Sequence, residues 1–182
     1  MRPALFFAIA TLSGLGLAVS AVDDFVDVLT SLTTECEALM GPASQVSVLN
    51  APLFLLGAGP WATVVDGFAD MAATLTAATS ALPPTTQFTD DDSAAVADAF
   101  SSFSTAQRGV LISSFIREGT VFKAVPGVGK RIAGVIEVAA AAAETTVAII
   151  LDFEDDPDFE RTVQTDMGSM RDAFEAAIAA VS

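Results

Sequence analysis

The sequence has no histidine, no tyrosine, one cysteine (Cys36), one tryptophan (Trp61) and one asparagine (Asn50). Without histidine, imidazole zinc sites and Ser–His or Cys–His catalysis lack their parts. Cys36 falls between Leu32 and Leu39 on an apolar helical face, which marks a buried, inert thiol. A domain of this size with a good core needs no disulfide. Asn50-Ala51-Pro52 is not a glycosylation sequon. Positive charge is scarce as well: 8 basic residues face 23 acidic ones, for a net charge of −15. Such a chain repels phosphate backbones, which excludes nucleic acid as a partner. Paired carboxylates remain available for acid–base work, but the acids here fall at expected helix starts and on solvent-facing stripes. The expectation is a non-enzymatic protein with no catalytic residue, no metal and no cofactor.

What is present begins with a leader. Residues 1–21 carry one basic residue (Arg2), an apolar run and the small-residue pattern Val19-Ser20-Ala21, the layout of a secretory signal peptide cut after Ala21. Residues 22–182 then form one domain, long enough to bury about 70% of its unfolded surface. One later stretch, Gly134 to Ile150, is apolar enough to suggest a membrane span. Glu137 and Glu144 lie on one stripe of it with Lys130, however, and carboxylates at bilayer depth cost several kcal/mol. It reads as an amphipathic bundle helix, and no transmembrane or lipid anchor is expected elsewhere.

The apolar periodicity is helical throughout. Phe25, Val28, Leu29, Leu32, Cys36, Leu39 and Met40 share one face, ending at a break or kink at Gly41-Pro42. Trp61, Val64, Val65, Phe68, Ala72 and Leu75 share the next, with Pro60 suited to its first turn. Pro83-Pro84 marks a loop, and Thr89 with Asp92 forms a capping box before a helix carrying Val96, Phe100, Phe103, Val110 and Leu111. The aspartates at 90–92 and the run Asp152–Asp158 read as helix caps, with Asp156 as N-cap and Pro157 at the first helical position, rather than cation loops. The "VPGVGKR" turn lacks the glycine at Ala124 and the hydroxyl at Arg131 that a phosphate-binding loop requires. Phe159, Val163, Met170, Phe174, Ala177 and Val181 complete a final stripe. The fold class is therefore all-α: a single-domain bundle of about five helices, with room for a central apolar cavity.

The informative residues are small or polar ones on inward faces. In the alanine-rich helix, Ile132, Val135, Ala139, Ala142, Ala143, Thr146, Ile149 and Ile150 point inward, bulky at both ends and small in the middle. Gln107 and Ser114 lie within about 20° of Val96 on their helix, and Thr79 faces inward on another. Such groups either satisfy one another, a backbone carbonyl or a water, or hold the polar end of an amphipathic guest. Small residues equally mark a close helix crossing or a cavity, and flexible methionines such as Met71, Met167 and Met170 suit an adaptable pocket. The candidate ligand-binding set is Phe100, Phe103, Gln107, Ser114, Ala139, Ala142, Ala143, Thr146, Met170 and Phe174, with Arg117 near the polar end. Arg117, Lys123, Lys130 and Arg131 form a basic cluster in the otherwise acidic chain, read as helix-end charge or as a head-group site.

Four segments together, "DDFVDVLTSLTTECEAL", "FSSFSTAQRGVLISSFIREGTVF", "RIAGVIEVAAAAAETTVAIIL" and "FERTVQTDMGSMRDAFEAAIAAV", give the chain after residue 21 a layout that resembles the fungal hydrophobic surface-binding protein A family, itself similar to cell-wall galactomannoproteins. The resemblance implies a secreted helical bundle, extracellular or loosely associated with the cell wall. Such a bundle holds fatty acids or similar lipids, or adsorbs to hydrophobic surfaces and recruits secreted hydrolases to them. Arg117-Glu118 stands where family members often carry lysines, and no Ser/Thr-rich stalk is present. Two function classes follow: a lipid-binding module, and a surface-active protein whose helices open onto an interface. A secreted effector that binds a partner protein is the third.

Overall fold

The computed structural model describes residues 17–47, 53–54, 56–123 and 127–182, and these contain helices and loops with no strand. Among the described residues, six α-helices are delimited, in order: α1 (Leu17–Ser44), α2 (Gly59–Ala81), α3 (Asp90–Val110), α4 (Gly119–Lys123), α5 (Val128–Leu151) and α6 (Pro157–Val181). A π-helical segment, Leu111–Ile116, continues α3 without a break. Its backbone shows the wider winding directly, since Arg117 N–H donates to the Ile112 carbonyl five residues back at 3.2 Å. Residues 1–16 of the expected leader lie outside the described region, and α1 runs on across Ala21 to Val22, which is buried.

Local chemistry sets most boundaries where the sequence places them. Thr89 Oγ1 accepts from Asp92 N–H at 3.2 Å while the Asp92 carboxylate accepts from Thr89 N–H at 2.9 Å, so the capping box starts α3. Asp156 accepts from Asp158 N–H at 3.0 Å, with Pro157 opening α6. Gly127, at φ 82°, supplies the left-handed residue before α5. Gly41-Pro42 does not break the helix: α1 passes through it and ends two residues later, at Ser44. Pro42 sits in the last turn, where its missing N–H costs one hydrogen bond. Asn50 to Pro52, and Val125-Pro126 in the expected turn before the alanine-rich helix, lie outside the described residues.

The five long helices close into a ring. Going round it, α1 packs on α2, α2 on α5, α5 on α6, α6 on α3 and α3 back on α1. Five cylinders about 10 Å across, closed in a ring, enclose an axial gap of roughly 7 Å, wider than four would leave. Here the axis is filled by one continuous core that includes Phe25, Phe68, Phe100, Phe103, Phe115, Met170 and Phe174. The short α4 and the π segment dock against α6 at one end. The last turn of α6 seats closely there: Gly119 and Gly129 face the Ala180 and Val181 carbonyls with no space for a side chain. Lys123 Nζ donates to the Ala179 carbonyl at 3.3 Å, a cation at the negative end of a helix dipole. The apolar α5 is the one described helix long and apolar enough to cross a membrane, but its inner face belongs to the ring core while Lys130, Glu137 and Glu144 are exposed.

Candidate ligand-binding site

All ten candidate residues are buried, so their helical phases are right. They reach the interior from three ring members and the π segment: Phe100, Phe103 and Gln107 on α3, Ser114 on the π segment, the alanines and Thr146 on α5, Met170 and Phe174 on α6. Phe100 and Phe103 pack with ring centroids 6.4 Å apart. The apolar members, with Ala139, Ala142 and Ala143, join a single cluster. On α5 the inner face is rotated slightly from the expected one. Ile136 and Val147 are buried, while Val135 and Ile149 stand at its edges, half-buried.

The polar members diverge in their surroundings. Thr146 lies hydroxyl to hydroxyl with Thr79, 2.8 Å apart across the α2–α5 seam. Each also donates back to its own helix, Thr79 to the Leu75 carbonyl at 2.8 Å and Thr146 to Ala142 at 2.9 Å. Two protons thus serve three short contacts, and the pair works as a shared clasp between helices. Ser114 donates to the Val110 carbonyl and is satisfied within its own turn. Gln107 is different. It is 2% exposed, and its Oε1 is buried without a hydrogen-bond partner. An orphaned buried carbonyl typically costs about 1–3 kcal/mol. Arg117 is not brought to this centre: its guanidinium is exposed and pairs with Glu118 at 2.9 Å.

Two grooves flank the alanine-rich helix. One, of about 300 Å³, runs along the α2–α5 seam over Thr76, Thr79, Ser80, Val138, Ala142 and Thr146. The other, of about 390 Å³, lies between α5 and α6 over Val147, Leu151, Met167 and Gly168. Ala142 therefore faces a groove, whereas Ala139 and Ala143 are the more deeply buried of the three. Sequence reasoning assigned Thr79 and missed Thr76 and Ser80; the signal was present as hydroxyls at i and i+4 beside a small-residue helix. Among the described residues no group of three or more carboxylates or thiols is placed to hold a metal ion. Cys36 is fully buried with its Sγ 3.4 Å from Met71 Sδ. Burial, with Glu35 and Glu37 adding to it, pushes its thiol up to about 12 and leaves it unreactive near neutrality.

No protein-family model matches the chain. No curated protein matches it either. Among solved structures, the crystal structure of AfMP4p in complex with palmitic acid is similar at a TM-score of 0.67 and 15% identity. The likeness spans 88% of this chain and 99% of that one. The two chains share a fold.

Proposed function

We propose that this chain is a secreted, non-enzymatic lipid carrier that takes an acyl chain into the axis of its five-helix ring. The reading is carried by the likeness to a bundle solved with palmitic acid, over nearly the whole of both chains. Gln107 gives the guest a place: an unpartnered carbonyl in an aromatic and methionine-rich core wants a polar group from outside the protein. Phe100, Phe103, Met170 and Phe174 would line the tail, and Ala139 and Ala143 leave the width. Because side chains fill the axis in this structure, admission requires the core to part, for which the flexible Met71, Met167 and Met170 are suited. Secretion rests on the leader-like layout of residues 1–21. With it goes kinship to the fungal surface-binding and galactomannoprotein-like proteins that the sequence resembles, together with any recruitment of secreted hydrolases.

Native mass spectrometry tests the reading. The chain, stripped of lipid and incubated with palmitic acid, should carry one or a few acyl masses. A mass that stays clean after incubation overturns it.

A second reading, adsorption to hydrophobic surfaces, is favoured by one observation. Only 39% of the most apolar stretch of α5 is buried, and Val138 on it is 60% exposed. Surface tension at an air–water interface should then fall at micromolar protein; an unchanged value removes this reading.

A further inference from the structure

Gln107 is not the only core side chain left without a partner. Trp61, at the start of α2, is 1% exposed and its Nε1 is buried with no acceptor. The two orphans are of opposite sense: the indole N–H only donates, and the Gln107 Oε1 only accepts. The hydroxyl of Thr86, also unpartnered, lies in the loop before α3. The surroundings of Trp61 are aromatic. Phe122 meets its ring edge-on with centroids 4.0 Å apart, Phe115 lies at 5.9 Å, and Phe68 packs on Phe115 at 5.3 Å. These rings offer the indole N–H no conventional acceptor.

The same end of the ring gathers positive charge. Lys123 directly follows Phe122, Arg117 comes two residues after Phe115 with Glu118 paired to it, and Lys130 and Arg131 open α5. These are half of the chain's 8 basic residues. Gln107 lies eight residues before Phe115 on the same continuous helix, a separation on the order of 10 Å along the axis. A donor under a basic rim suits an anionic head, and an acceptor farther down an apolar axis suits a neutral hydroxyl.

We propose that the preferred guest is a hydroxy fatty acid, its carboxylate accepting from Trp61 Nε1 and its mid-chain hydroxyl donating to Gln107 Oε1. This names the ligand class for the acyl-binding reading and rests on it. A plain acyl chain satisfies Trp61 and leaves the Gln107 carbonyl unpaired, and a site built around a buried polar group discriminates against the analogue that lacks the matching group.

The test uses the full chain, stripped of lipid, titrated calorimetrically with palmitic acid and with its mid-chain monohydroxy derivative. The hydroxy acid should bind roughly tenfold tighter, the factor one additional net hydrogen bond supplies. Gln107→Leu should abolish that preference while palmitic acid still binds. Trp61→Phe should weaken both acids by a similar factor and keep the preference. Equal affinity of the unaltered chain for the two acids overturns the inference and leaves the acyl reading standing. A preference that survives Gln107→Leu overturns it as well. Failure to bind either acid removes both. The comparison of two ligands on the unaltered chain does not depend on how either variant folds.

Discussion

At the scale of single residues, glycines decide more here than any charged group. A Cβ at Gly119 would lie 2.6 Å from the Ala180 carbonyl oxygen, and one at Gly129 would run into that of Val181. Both obstacles are backbone at the end of α6, so relief requires moving a helix terminus. Gly119→Ala and Gly129→Ala should each lose about 1–3 kcal/mol. Gly134, inside α5 with open space around it, provides the control: alanine there should be neutral or gain up to about 1 kcal/mol. Urea midpoints of the three variants check the ordering. Nothing in the sequence separates Gly129 from Gly134. Both are glycines near the start of one helix, and only the arrival of a chain end some fifty residues later distinguishes them.

At the scale of helices, the inner faces were legible because a 3.6-residue period converts spacing directly into direction. The faces read for α2, α3 and α6 are buried as expected, and both caps form as the residues require. Three features escaped. Pro42 stays helical although it gives up one backbone hydrogen bond, and α1 ends only two residues later. The π winding of Leu111–Ile116 has no composition signal, since it reflects how the end of α3 must meet α6, α1 and α4 together. The Thr79–Thr146 contact joins residues 67 apart, so each threonine could be placed inward but not matched with the other. That clasp is measurable. Thr79→Val and Thr146→Val should each cost about 1 kcal/mol, while the double variant should cost less than their sum. A double-mutant cycle by chemical denaturation reads the coupling, and strict additivity would mean that the two hydroxyls do not interact.

At the scale of the whole molecule, a ring of five helices sets stability against occupancy. Its axis is wide enough to need phenylalanines to fill it, and among them sits an amide whose oxygen has no partner. Gln107→Leu should therefore stabilise the empty protein by about 1–3 kcal/mol while weakening binding of the hydroxy acid, the usual opposition between a settled core and a working site. Thermal melts with and without the mid-chain hydroxy acid read both effects: the variant should melt higher than the unaltered chain when empty and gain less on adding that acid. Of the candidate site, burial was legible in the sequence and partnership was not. Ser114 and Gln107 share a face, yet one finds a carbonyl within its own turn and the other finds nothing. Trp61 read only as core because its indole is apolar over most of its surface, and the fate of its single N–H depends on walls contributed by the π segment and α4.

The π segment also constrains how this sequence can drift. A π turn is what remains when one extra residue is accommodated in an α-helix, so Leu111–Ile116 can be pictured as a past insertion that the fold absorbed. Removing one residue there, such as the exposed Ile112, would restore ordinary winding and leave Phe115 close to its present direction, because the wider turn had taken up the extra residue. The aromatic packing on Trp61 would outlast the change. Among descendants of this chain the length of this stretch should therefore shorten by one residue more readily than the direction of Phe115 changes.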